Sequence, residues 1–69
     1  MAIYVVQLSL KSEAQETLII DHEFENRKTA EDFYNKLHSG IVYQYGIKNI
    51  LELLKYEGKE KSFILYDEV

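Results

Sequence analysis

The string Asp21-His22-Glu23 is where side chains capable of acid–base or metal chemistry come closest together in this sequence. A histidine flanked by carboxylates can accept a proton or bind a metal, provided that the acids share its face. The residues from Thr17 to Glu25 alternate in polarity with a period of two, the pattern of a strand. In a strand, His22 points with Leu18, Ile20 and Phe24, whereas Asp21 and Glu23 point the other way with Ile19 and Glu25. His22 is therefore expected to be a partly buried structural histidine. His38, the other histidine, falls near the end of a helical segment, where a cation interacts favourably with the helix dipole. The chain has no cysteine, no His-x-x-x-His or Glu-x-x-His spacing, no glycine-rich phosphate loop and no Gly-x-Ser-x-Gly elbow. No catalytic residue, cofactor or metal site is assigned, and a non-enzymatic role is expected.

The acids themselves form the more informative pattern. Residues two apart on a strand project the same way at about 7 Å spacing, close to that of successive phosphates on a nucleic-acid strand. Asp21, Glu23 and Glu25 could thus mimic phosphates and dock on a basic groove of another protein. The same pattern also serves as a solvated sheet face or as an edge protected by charge. The second pattern is aromatic. There are six tyrosines and no tryptophan, and Tyr43 and Tyr45 share a face if their segment is extended. Tyrosine offers large contact area with few rotors to freeze, which suits either an interface or the wet edge of a core. The candidate partner-binding residues are accordingly Asp21, Glu23, Glu25, Tyr43 and Tyr45.

Several elements must position these residues. Ala2 to Leu10 is rich in β-formers and reads as a strand, joined through the polar loop from Lys11 to Glu16 to the strand from Thr17 to Glu25, as a hairpin. After the turn Asn26-Arg27-Lys28, a helix is expected from Thr29 to Ser39. Thr29 and Asp32 have capping-box spacing, Asp32 and Lys36 ion-pair spacing, and Gly40 is a stop. Ala30, Phe33, Tyr34, Leu37 and Ile41 form its apolar stripe. Ile41 to Tyr45 has strand-like composition. Ile47, Ile50, Leu51 and Leu54 recur at helical steps and Gly58 follows as a cap, so a second helix is expected from Ile47 to Glu57. The rival is a strand from Ile50 to Tyr56 that turns through Gly58 into the last strand, Ser62 to Tyr66, with Asp67 to Val69 fraying. Either version is α+β: a small antiparallel sheet, made of the N-terminal hairpin and the C-terminal strand, with one or two helices on one face.

Composition bounds the rest. At 69 residues the chain forms one domain with a small core, and it has no disulfide to support it. With 46% hydrophobic residues, a homodimer or a stable protein partner is expected. A net charge of −4 and scattered basic residues argue against direct binding to nucleic acid or anionic membranes. No basic n-region or apolar run of spanning length marks a leader or a membrane segment, and a cytoplasmic location is expected. In size and composition alone, with no shared motif, the chain resembles the small acidic proteins encoded by phages and plasmids. That resemblance implies a regulator or inhibitor of a nucleic-acid-acting host protein, of anti-restriction or anti-CRISPR type. The alternative is a structural or accessory subunit that completes a larger assembly, and an enzyme or metal binder centred on His22 is the weakest reading.

Overall fold

In a computed structural model that describes residues 1–69, four strands and one helix follow one another along the chain. They are β1 (Ala2–Lys11), β2 (Glu16–Phe24), α1 (Arg27–Gly40), β3 (Lys48–Glu57) and β4 (Glu60–Glu68). All neighbours in the sheet are antiparallel, in the order β2-β1-β3-β4. Two hairpins are thus joined through their first strands, and α1 covers one face of the sheet. The result is a flat slab, 39 × 24 × 15 Å, of α+β class. No helix is long and apolar enough to cross a membrane.

The second expected helix is a strand. β3 is a central strand whose Leu51 and Leu53 face α1 while Ile50 and Leu54 face the other way, and all four are buried. A strand buried on both faces is a nearly unbroken apolar run, and such a run mimics helical steps. Gly58 is therefore no helix cap. With Lys59 it forms the two-residue turn between Glu57 and Glu60, with φ of 62° at its first position, which a type II′ turn reserves for glycine. The strand expected from Ser62 to Tyr66 runs from Glu60 to Glu68, so the C-terminal contribution to the sheet is a hairpin rather than a lone strand. Nor does the end fray. Val69 exchanges two backbone hydrogen bonds with Asn49, and the buried Asn49 side chain donates a further bond to its carbonyl.

Helix α1 begins two residues ahead of the expected start. Asn26 is its cap, because its side-chain oxygen accepts from the amides of Lys28 and Thr29 and satisfies two donors that the first turn leaves free. Thr29 is inside the helix. The ion pairs on its surface are Arg27–Glu31 and Lys28–Asp32, not Asp32–Lys36. The apolar stripe is as expected: Ala30 and Tyr34 pack on Val6, Leu8, Leu51 and Leu53, flanked by Phe33, Leu37 and Ile41. The segment after the helix is not a strand. Gln44 to Ile47 closes a turn through the Ile47 amide and the Gln44 carbonyl, with Gly46 at φ 82° in the third position, as a type II turn requires.

Candidate functional site

The face of the sheet away from α1 is uncovered, and the register places its residues in rows. Glu23, Val5, Leu54 and Phe63 form one row across the four strands. Asp21, Gln7, Glu52 and Tyr66 form the next, and Leu18, Ser9, Ile50 and Glu68 the one beyond. Each hairpin carries one irregularity that sets these rows. On β2 the register passes from Leu8↔Ile20 to Ser9↔Leu18, leaving Ile19 as an extra residue. On β4 it passes from Leu53↔Leu65 to Leu54↔Phe63, leaving Ile64 extra. Beyond such a bulge the alternation of faces is reversed. Leu18 therefore stands on the open face with Asp21 and Glu23, and not with Ile20, His22 and Phe24 as strict alternation predicts.

Asp21 and Glu23 border a shallow depression of about 310 Å³ whose other walls are Ile3, Val5, Gln7 and Tyr56. Val5 is almost wholly buried, whereas Asp21 and Glu23 are exposed. Neither carboxylate has a cation within 4.0 Å, since the ion pairs of the chain lie on α1 and between His38 and Asp67. Two unpaired negative charges beside an apolar floor suit the side chain of a lysine or arginine. Its aliphatic stem covers the floor while its head group meets the acids.

The remaining candidates lie elsewhere. Glu25 falls past the end of β2 in an exposed bend, so the strand itself carries two of the three acids. Tyr43 and Tyr45, 70% and 94% exposed, sit in the loop between α1 and β3. Tyr43 lines a cleft of about 420 Å³ with Lys11, Ser12, Glu13 and Lys48. That end of the sheet is roughly 13 Å along the strand from the row of Asp21 and roughly 20 Å from that of Glu23, at about 3.3 Å per residue. The structure does not bring the acids and these tyrosines together.

His22 faces α1 from an exposed position. Its ring stacks on Phe24 at 4.5 Å and lies 5.2 Å from Phe33, and its Nδ1–H donates to the Glu23 backbone carbonyl at 3.2 Å. The side chains of Asp21 and Glu23 project from the opposite face, as alternation predicts. No group of three or more histidine, aspartate or glutamate side chains is arranged to hold a metal ion. A cluster that sequence reading misses joins α1 to β4. The buried Tyr34 hydroxyl donates to the Asp67 carboxylate and makes a second contact at 3.4 Å with the Leu51 carbonyl, while His38 Nε2 lies 3.8 Å from the other Asp67 oxygen. Burial first, then the hydrogen bond and charge of Asp67 and the charge of Glu52, push the ionisation of Tyr34 well above the usual tyrosine range. These residues lie far apart in the sequence, and only the spacing of Tyr34 and His38 on one helix face hints at their meeting.

No protein-family model matches the chain, and no curated protein or solved structure is significantly similar to it. Fold and site together define a small α+β domain with an open-faced antiparallel sheet and an acidic, partly apolar corner.

Proposed function

We propose that this chain is a non-enzymatic protein-binding module that engages a basic surface of a larger protein through Asp21 and Glu23. The observation that carries this reading is the depression beside them: two carboxylates without cations, next to an apolar floor, on an uncovered face of an edge strand. The spacing of the two acids, about 7 Å for alternate residues of a strand, favours partners that have evolved to hold a phosphate backbone. The partner class is then a nuclease or another nucleic-acid-acting protein, regulated by occlusion of its basic groove. Glu25, just past the strand, extends the negative corner. Tyr43 and Tyr45 supply a separate contact for a partner broad enough to reach the far end of the sheet.

A second reading has its own support. Ile3, Phe63 and Tyr66 expose apolar surface on the same face, as an accessory subunit built into a larger assembly would. Salt separates the two, because an interface built on charge weakens as ionic strength rises and an apolar one does not.

The test is capture from a lysate of the source cells at low and high salt, with the wild type and Asp21→Lys/Glu23→Lys as baits, followed by nuclease assays on the retained protein. The proposal expects a protein retained by the wild type at low salt only, lost with the charge-reversed variant, and inhibited when the wild type is added back. Equal retention by both baits at both salt concentrations would remove the acidic corner from the function.

A further inference from the structure

We infer that two copies of this chain pair antiparallel through their β4 edges, giving an eight-stranded sheet with a helix from each copy on the same face. The argument begins with exposed surface. The chain exposes 5071 Å², about 500 Å² more than the roughly 4,500 Å² expected of a compact 8.2 kDa monomer. Three of the ten large hydrophobic side chains left exposed lie on β4. This strand is an edge, the backbone of α1 lies against β1, β2 and β3 and reaches β4 only through side chains, at Asp67 and Ile64, and Phe63, Leu65 and Tyr66 are 61%, 36% and 52% exposed.

Self-complementarity identifies the occupant. A twofold axis between Ile64 and Leu65 sets Lys61 of one copy opposite Glu68 of the other, and Phe63 opposite Tyr66. Each pair then occurs twice. In an unbroken strand this could not work, because residues three or seven apart stand on opposite faces. The extra residue Ile64 reverses the alternation. Lys61, Phe63, Tyr66 and Glu68 oppose Tyr56, Leu54, Glu52 and Ile50, all on the open face. The bulge of one copy would also meet the bulge of the other, so the new register runs through without a gap. A bulge on an edge is usually read as a guard against pairing. Here it is what gives the strand matching halves, with opposite charges and aromatic rings directly across from each other.

The other edge is an internal comparison. β2 has the same kind of bulge at Ile19, and a twofold axis between Ile19 and Ile20 sets Glu16 opposite Glu23 and Leu18 opposite Asp21. Like charges meet twice in this register, so the matching pairing is disfavoured at β2 where it is favoured at β4. The β4 pairing leaves Asp21 and Glu23 free. It therefore stands or falls independently of the partner reading above.

The test is sedimentation equilibrium of the full chain from about 1 μM to about 1 mM, with Lys61→Glu, Glu68→Lys and the double variant that exchanges the two charges. Lys61 also lies over the rings of Tyr56 and Phe63, at 5.9 and 5.5 Å. Thermal melts therefore check that each variant folds, and Glu68→Lys provides a probe that avoids those contacts. The inference expects a monomer–dimer equilibrium that each single variant weakens about tenfold or more, and that the exchange largely restores. Amide hydrogen exchange should show protection of β4, but not of β2, rising with concentration. A monomer throughout, a dimer indifferent to both single variants, or open-ended growth through β2–β4 contacts would each overturn it.

Discussion

The Tyr34 hydroxyl donates a hydrogen bond to the Asp67 carboxylate, joining the middle of α1 to the end of β4 across the core. Tyr34 is only 2% exposed and Asp67 sits at the margin, so one end of the bond is dry and the other reaches water. With the neighbouring His38–Asp67 contact, it ties the helix to the outermost strand of the C-terminal hairpin.

Replacing Tyr34 with phenylalanine should cost about 1–2 kcal/mol, because a hydrogen bond to a charged but half-solvated group is lost and the ring is kept. Urea unfolding at neutral pH measures this. The alkaline limb is a second readout. Burial, then Asp67, raise the ionisation of Tyr34 in the folded chain, while the unfolded chain ionises near pH 10. This contribution is complete below about pH 10 and is lost as the pH climbs from there toward the higher folded value. Tyr34→Phe should therefore lose melting temperature less steeply above pH 10 than the wild type does.

Leu53 is fully buried between β1 and α1. Leu53→Ala should destabilise by about 2–5 kcal/mol, enough to unfold a chain with so small a core. Leu18→Ala, at a half-exposed site on the open face, should shift the urea midpoint by no more than about 0.5 kcal/mol equivalent. Equal effects at the two sites would contradict the bulge at Ile19, which is what turns Leu18 outward.

Gly58→Ala tests the β3–β4 turn. A Cβ at this position meets nothing within 4 Å, so the penalty is conformational and not a clash. The positive φ should cost about 1–2 kcal/mol in thermal or urea unfolding.

His22→Ala removes a ring stacked on Phe24 from an exposed site. A loss of about 0.5–1 kcal/mol is expected in urea unfolding, and partner capture should be unchanged. Loss of capture in a fully folded variant would move the functional centre from the acids to the histidine.

How much of this fold is legible in the sequence depends on how each strand is solvated. β1 and β2 can be read, because β2 is an edge that alternates in polarity and β1 is rich in β-branched residues. β3 cannot. Ile50, Leu51, Leu53 and Leu54 fill both faces of a central strand, and their spacing suits a helix equally well. The capping-box spacing of Thr29 and Asp32 points to a start two residues too late, because Asn26, an equally good capping residue three positions earlier, is the one that the entry of the chain from β2 sets at the cap. The bulges at Ile19 and Ile64 leave no composition signal, so the faces of Leu18 and Tyr66 had to come from the register. The acidic pair Asp21 and Glu23 was visible as a pattern. Its apolar floor was not, since Val5, Ile3 and Tyr56 come from the other strands.

The strand order also bears on how the chain finds its fold. β1 meets β2, and β3 meets β4, across short turns that close within microseconds. The central β1–β3 pair joins segments separated by everything from Ser12 to Ile47, and none of the core under α1 is complete until it forms. Docking of two preformed hairpins is then the slow step, in the range of milliseconds typical of small mixed folds. With no proline in the chain, no isomerisation lags behind it, so refolding should be a single exponential whose rate falls with substitutions at Val6 or Leu53 and also with Gly58→Ala, because a hairpin formed before docking is already present in the transition state.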